Sequence, residues 1–311
     1  MTCDATVVAE RLLPSIVTIS TTNESGTSVG SGDIIRSEGY VLTNSHVVSS
    51  GDAVGAVEVL LSDGRRYPAS LTGRDPQTDL AVIKLDTGSP LPAMPLGSSA
   101  TVRIGAPVVA LGAPLGLSST VTAGIVSALD RTVEVPSDSG PPAVLISAVQ
   151  TDAAINPGNS GGALINCSGE LIGVPTANAT TAGAAGGSIG LAFAVPIDLA
   201  KAVADELIAT GAVTHSYFGI DVVPVAPVAT ASAGASGTPG LLVAGVVAGG
   251  PSEAAGLLQG DVITSIDGQP ATDANQVALL TLKKKPGETV AVTYTRGGTS
   301  AQTTITLGTQ P

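Results

Sequence analysis

Gln150-Thr151-Asp152-Ala153-Ala154-Ile155-Asn156-Pro157-Gly158-Asn159-Ser160-Gly161-Gly162-Ala163-Leu164 is the stretch on which the reading of this chain turns. It sets a serine inside a glycine turn directly before an apolar run. Glycine has a physical reason there, because backbone N–H groups turned inward at a tight turn need conformations that side chains obstruct. Outward from this turn the chain is built of short apolar runs separated by turn residues. They fall at 14–21, 26–32, 40–43, 54–61, 80–85, 107–111, 121–128 and 143–149. Short strands at that spacing predict an all-β barrel or sandwich. Few long amphipathic stretches separate them, which disfavours a parallel α/β sheet. The exception is 196–210, where Ile197, Ala200, Val203, Ala204, Leu207 and Ile208 recur at helical spacing and Gly211 supplies a stop.

With 311 residues the chain is long enough for two domains, each with its own core. It is 43% hydrophobic but only 2% aromatic, so those cores are built from Val, Ile, Leu and Ala. A net charge of −12 argues against a nucleic-acid partner, since phosphate binding needs clustered Lys and Arg. The one basic run, Lys283-Lys284-Lys285, ends at Pro286-Gly287 and reads as a solvated turn. Cys3 and Cys167 are the only cysteines, and His46 and His215 the only histidines, so neither a zinc site nor a dithiol redox site is expected. No metal or other cofactor is called for. A Cys3–Cys167 disulfide and two independent free thiols both remain open, because sequence does not show their separation. The start, Met1-Thr2-Cys3-Asp4, lacks a basic segment and an apolar h-region. The expectation is either a cytoplasmic protein or one whose upstream anchor has been removed. No run approaches the ~20 apolar residues of a membrane-spanning helix.

A boundary is expected near 212–217, giving domains over 1–212 and 213–311. The Pro-, Ala-, Ser- and Gly-rich segment 224–240 reads as a mobile loop. Beyond it come strands at 241–247, 262–266 and 289–295, with helices over 251–257 and 273–283. That mixture within about 95 residues reads as one small α+β domain.

Three local signals carry chemistry: Thr43-Asn44-Ser45-His46-Val47-Val48, Thr78-Asp79-Leu80-Ala81-Val82 and Gly158-Asn159-Ser160-Gly161-Gly162. A serine nucleophile needs a base beside it, and the base needs a buried carboxylate to hold its tautomer. His46 is the only imidazole in the first domain. The order His, Asp, Ser is that of chymotrypsin-type barrels and differs from α/β-hydrolases and subtilisins. Singly, each has a bland reading: a common glycine turn, a packed histidine, an aspartate capping a strand. It is their combination, in this order within a β-rich domain, that points to nucleophilic catalysis.

The run from Gly30-Ser31-Gly32 through Gly39-Tyr40-Val41-Leu42-Thr43-Asn44-Ser45-His46-Val47-Val48 resembles the histidine block of HtrA/DegP-like serine proteases. Asp75-Pro76-Gln77-Thr78-Asp79-Leu80-Ala81-Val82 resembles their aspartate block. The stretch from Gln150 to Leu164 is similar to their serine block nearly letter for letter, and 112–127, with Gly124-Ile125-Val126-Ser127, also matches. Tyr217-Phe218-Gly219-Ile220 resembles the carboxylate-binding loop of their PDZ domains. The 249–257 run and Gly260-Asp261-Val262-Ile263 through Ile266-Asp267-Gly268 match the PDZ core signature. The resemblance implies a mainly β fold, a chymotrypsin-like double six-stranded β-barrel followed by a small α+β PDZ domain. It makes His46 the general base, Asp79 its orienter and Ser160 the nucleophile. Gly158, Asn159 and Ser160 form the oxyanion hole, the N–H groups of Gly158 and Ser160 being the donors.

The same resemblance puts the floor of the substrate pocket at Ala154, beside Ile155, and reads Asp152 as structural. A small apolar floor implies cleavage after Val, Ala or similar residues. Residues 190–195, with Leu191, Ala192 and Phe193, are expected to pair with substrate backbone and line that pocket. Loop 176–189 is expected to be a mobile activation loop. Tyr217, Phe218, Gly219 and Ile220 are expected to hold a peptide C-terminus. A trimer and an extracytoplasmic quality-control role acting on unfolded proteins are further implications. Three departures from the pattern stand out: Asp33 in place of an apolar strand residue, Val174-Pro175 ahead of Thr176-Ala177, and Cys167 in a turn. Two competing functions remain, a latent chaperone or peptide-binding module and an esterase. The complete triad disfavours the first, and the PDZ domain disfavours small esters.

Overall fold

In the computed structural model, the structure describes residues 3–23, 26–50, 53–113, 120–135, 143–178, 187–225, 228–230, 233–236 and 239–310. The chain divides into two compact units, Met1–Val213 and Thr214–Pro311.

The first unit is two closed six-stranded barrels. Strands β1 (Ile16–Asn23), β2 (Gly26–Arg36), β3 (Tyr40–Thr43), β4 (Ala56–Leu61), β5 (Arg66–Asp75) and β6 (Leu80–Leu85) close in the order β1-β2-β3-β6-β5-β4. Strands β7 (Pro107–Gly112), β8 (Thr120–Val135), β9 (Ala143–Thr151), β10 (Ala163–Asn166), β11 (Leu171–Asn178) and β12 (Ala192–Pro196) close in the order β8-β9-β12-β11-β10-β7. Read from the first strand of each barrel, the two orders are the same circuit. Closure removes the free edges that an open sheet would present. Alternation sorts the side chains into three cores. Val17, Ile19, Ile34, Val41, Val59 and Ile83 fill the first barrel. Val108, Ala110, Val126, Val149, Leu164 and Ala194 fill the second. A third cluster joins outward-facing residues of both, including Leu42, Val82, Leu111 and Ile165, to two helices.

Those helices have clear causes. In α1 (Ala5–Leu12) the Asp4 carboxylate caps the N–H groups of Thr6 (3.0 Å) and Val7 (3.3 Å), and Val8, Ala9 and Leu12 face the third core. The helix expected over 196–210 forms as α3 (Ile197–Thr210), burying Ile197, Ala200, Val203, Ala204 and Leu207. It stops at Gly211, whose φ of +80° suits the left-handed cap. Between them lies the single turn α2 (Ser45–Val48). The cysteine question is decided here. Cys3, just ahead of α1, is bonded to Cys167 in the turn between β10 and β11, with Cα atoms 5.1 Å apart. Arg11 Nη1 adds a bond of 3.3 Å to the Ser168 carbonyl in that same turn.

The second unit is a sheet in the order β13 (Ile220–Val225), β14 (Gly240–Val246), β15 (Val262–Ile266), β16 (Thr289–Arg296), β17 (Thr299–Thr306), around a core of Phe218, Leu241, Val243, Ile263, Val290, Val292 and Ile305. Its helices are α4 (Pro251–Ala254), shorter than the expected 251–257, and α5 (Asn275–Lys283). Pro251 opens α4 at a position where no N–H is needed, and Gly256, at φ +82°, lies just beyond its end. The segment 224–240 differs from the loop expected of it. Val228–Thr230 and Ala233–Ser236 pair antiparallel. Among the described residues, no helix is long and apolar enough to cross a membrane.

Candidate active site

Asp79 is held by the sequence just before it. In Asp75-Pro76-Gln77-Thr78, the Asp75 carboxylate accepts the Gln77 N–H (3.3 Å) and the Thr78 hydroxyl (2.5 Å), while Asp79 N–H donates to Pro76 O (3.3 Å). This closed turn puts Asp79 at φ +54°, a left-handed conformation that aspartate tolerates better than most residues. Its carbonyl then accepts Ser45 N–H (3.1 Å) and the Asn44 amide (2.8 Å), which fastens the start of β6 to the junction of β3 and α2. His46, one residue further, is thereby delivered to the carboxylate. Its Nδ1 lies 2.8 Å from Asp79 Oδ2 and 3.1 Å from Oδ1, and its own N–H donates to Oδ1 at 3.1 Å. The Asp79 side chain is 8% exposed and that of His46 35%, so the imidazole is open to solvent on the side away from the buried acid.

A further contact was invisible in the sequence. Thr176 Oγ1 donates a short hydrogen bond to Asp79 Oδ2. Thr176 was expected to open a mobile loop, but it lies in β11 and is buried. Pairing of β11 with β12 skips from Pro175↔Ala194 to Ala177↔Phe193, so Thr176 is the extra residue of a bulge. A bulge re-aims one side chain, and here it aims a hydroxyl at the acid. Pro175, expected to stiffen the approach to the loop, sits at the same irregularity, and its carbonyl accepts Gly161 N–H at 2.9 Å. Most of the expected loop 176–189, residues 179–186, lies outside the described residues.

Ser160 sits in a turn packed against the His46 junction. A Cβ on Gly161 (φ +80°) would collide with Thr43 Oγ1 and Ser31 O and come within 3.0 Å of Asn44 N, so only glycine lets the serine turn approach the histidine segment this closely. Gly158 has φ +99°. Asn159 N–H donates to Asn156 O (2.9 Å), Gly162 N–H to Asn159 O (3.0 Å) and Ser31 N–H to Ser160 O (2.9 Å). Among the described residues, the N–H groups of Gly158 and Ser160 have no acceptor. Both donors lie in the one turn.

The expected pocket residues separate. Ala154 is half-buried, while Ile155 and Ala192 belong to the core of the second barrel. Phe193 points the other way, into the core between the barrels, because neighbours on a strand face opposite sides. Leu191 is exposed. The expectation that 190–195 pairs with substrate backbone meets a topological obstacle. β12 is flanked by β9 and β11, so neither of its edges is open. The open edge belongs to β11 beyond β10, at 176–178, where only β12 is paired. Asp152 holds structure: its Oδ1 accepts Ile125 N–H at 2.7 Å.

In the second unit Tyr217 pairs with Gly308, and the Phe218 side chain is buried in the core, so Phe218 offers a loop its backbone only. The Phe218 carbonyl accepts Ser252 N–H (3.1 Å) and Oγ (2.7 Å), and Gly219 O accepts Val247 N–H (3.0 Å). The N–H groups of Phe218 and Gly219 have no acceptor among the described residues. Beside them β13 is an edge strand, paired only with β14. Among the described residues there is no cluster of three or more potential metal ligands.

Two barrels with a His–Asp pair beside a glycine-bounded serine, followed by a small sheet with an open edge strand, define the class: a trypsin-like peptidase fold joined to a PDZ domain. The corresponding families match, trypsin-like peptidase domain over residues 30–174 and PDZ domain over 216–307. The chain is 42% identical to serine protease PepD of Mycobacterium tuberculosis, across 97% of its own length and 65% of that protein. It is 40% identical to a probable periplasmic serine endoprotease DegP-like of Halomonas elongata, across 93% and 58%. It therefore spans about three-fifths of the length of these relatives. Among solved structures, the HtrA-type protease AlgW with decapeptide superposes with a TM-score of 0.80 at 36% identity, covering 99% of each chain. The serine endoprotease from Yersinia pestis does so at 0.75 and 33%, covering 100% of each. This chain belongs to the HtrA-type protease family.

Proposed function

We propose that the chain is a serine endopeptidase acting on unfolded proteins through His46, Asp79 and Ser160. One observation carries the reading: the buried Asp79 carboxylate holds His46 by Nδ1 beside a serine turn with two unengaged N–H groups. With Nδ1–H donated to Asp79, His46 Nε2 is left as base for the Ser160 hydroxyl. Attack on a peptide carbonyl gives a tetrahedral intermediate whose oxyanion accepts from the N–H groups of Gly158 and Ser160, with Asn159 between them fixing their orientation. Loss of one such donor typically slows catalysis on the order of 10²–10³-fold. The imidazolium returns its proton to the leaving amine, and water then hydrolyses the acyl-enzyme by the same route.

Substrate backbone adds to the open edge of β11 at 176–178, and the side chain before the scissile bond is received at the half-buried Ala154. Small aliphatic residues fit there best. In the second unit, the Tyr217–Ile220 loop receives a peptide carboxylate on free N–H groups while the peptide extends along β13. AlgW, solved with a decapeptide, supports by analogy a peptide as ligand of this chain. The Cys3–Cys167 disulfide and the relatives named periplasmic favour an extracytoplasmic location. Assembly as a trimer, with a membrane anchor in the full-length protein, completes the proposal.

The test is cleavage of β-casein by the wild type and by Ser160→Ala, side by side. Cleavage by the wild type alone is expected. Equal cleavage by both would remove Ser160 from the mechanism, and cleavage by neither would favour a chaperone.

A further inference from the structure

Ser31 lies wholly buried on β2, and each of its hydrogen-bonding groups is engaged at the serine turn or beside it. Its N–H donates to Ser160 O (2.9 Å), and its hydroxyl donates to Gly158 O (2.6 Å). That hydroxyl also accepts Ala113 N–H (2.8 Å), while the Ser31 carbonyl accepts the Thr43 hydroxyl (2.7 Å). A peptide unit is planar, so fixing its carbonyl fixes the N–H on its other side. Ser31 thus holds the peptide planes on either side of the one that carries Ser160 N–H. The surroundings leave little slack. A Cβ on Gly112 would lie 3.1 Å from Ser31 Oγ, and one on Gly162 would lie 3.2 Å from Ser31 Cβ. A void the size of one hydroxyl is too small for a water to take its place.

We propose that Ser31 is a positioning residue for the oxyanion hole, its hydroxyl tying the Gly158 carbonyl to β2 and to the end of β7. The proposal rests on the reading of Ser160 as nucleophile with Gly158 and Ser160 as oxyanion donors. Ser31→Ala keeps the backbone bond to Ser160 O but frees the Gly158–Asn159 peptide plane, which lies between the planes carrying Gly158 N–H and Ser160 N–H, so the two donors lose their fixed mutual aim. Misaiming a donor costs less than deleting one, so kcat should fall about 10–100-fold with KM within roughly threefold.

The experiment compares wild type, Ser31→Ala and Ser160→Ala on a fluorogenic peptide taken from a mapped β-casein cut, with thermal unfolding measured for each. A peptide aldehyde, whose adduct places an oxyanion in the hole, should weaken in step with kcat for Ser31→Ala. The matching peptide amide, which forms no adduct, should bind unchanged. The rate of labelling by a fluorophosphonate reports the same effect where peptide turnover is slow. Unchanged kcat and labelling in a folded Ser31→Ala, or a change confined to KM, would overturn the proposal. Activity persisting in Ser160→Ala would instead overturn the reading beneath it. Should Ser31→Ala not fold, Ser31→Cys serves, since a thiol is a poor donor on a longer bond; wild-type kcat in that variant overturns the proposal equally.

Discussion

Asp33 shows what one residue can hide in a strand. On β2 it pairs with Ile16 of β1 and Leu42 of β3, and it is fully buried. Neither carboxylate oxygen has a partner among the described residues, and nor does Oγ1 of Thr18, diagonal to it on the same face. Burial alone holds its carboxyl well above the ordinary range. The sign follows from linkage. Between the unfolded value, about 3.9, and the raised folded value, the folded state keeps a proton that the unfolded chain has lost. Stability from this site is therefore present at low pH and lost as pH rises through the folded value. Asp33→Val, which suits Ile16 and Leu42, should raise Tm, and by more at pH 8 than at pH 4. Thermal unfolding at the two pH values checks it, and an equal gain at both would show that charge is not the cause.

At the scale of elements, the bulge in β11 makes Thr176 part of the site. A hydrogen bond to a charged group contributes about 1.5–3 kcal/mol. If that is expressed in the transition state, Thr176→Val should lower kcat/KM about 10–100-fold, and Thr176→Ser should keep most of the activity. Steady-state kinetics of the two variants would separate loss of the hydroxyl from loss of packing. The anchoring of α1 is a second matter of elements. Its buried face is three small or aliphatic residues, and the covalent bond of Cys3 to Cys167 holds its start. Losing a native disulfide typically costs about 2–5 kcal/mol, or roughly 5–15 °C in a domain of about 200 residues. Cys3→Ser with Cys167→Ser should show that fall in Tm, and reducing agent should affect the wild type alone. Of the elements, β5 escaped the sequence reading because its buried and exposed positions alternate weakly and Pro68 interrupts them. Strand β11 escaped because Gly173 and Pro175 resemble a loop. Both are kept extended by pairing on two sides, β5 with β4 and β6, β11 with β10 and β12.

For the whole molecule, the two barrels repeat one circuit and share a core through outward faces, and the candidate site lies where segments of both meet. That arrangement explains why so much could be read beforehand and why some could not. Turn chemistry is local: Asp75-Pro76-Gln77-Thr78-Asp79 and Gly158-Asn159-Ser160-Gly161-Gly162 bring their own hydrogen bonds and left-handed glycines wherever they occur. The sequence by itself therefore determined the β class, the helix expected over 196–210 and His46, Asp79 and Ser160 as the residues to watch. Pairing of Cys3 with Cys167, the Thr176 hydroxyl on Asp79, the Ser31 clamp and the opposite facing of Ala192 and Phe193 depend on register and on contact across the seam. Those are decided by which strand lies beside which, a long-range outcome of burying three cores at once, and only the tertiary structure settles them.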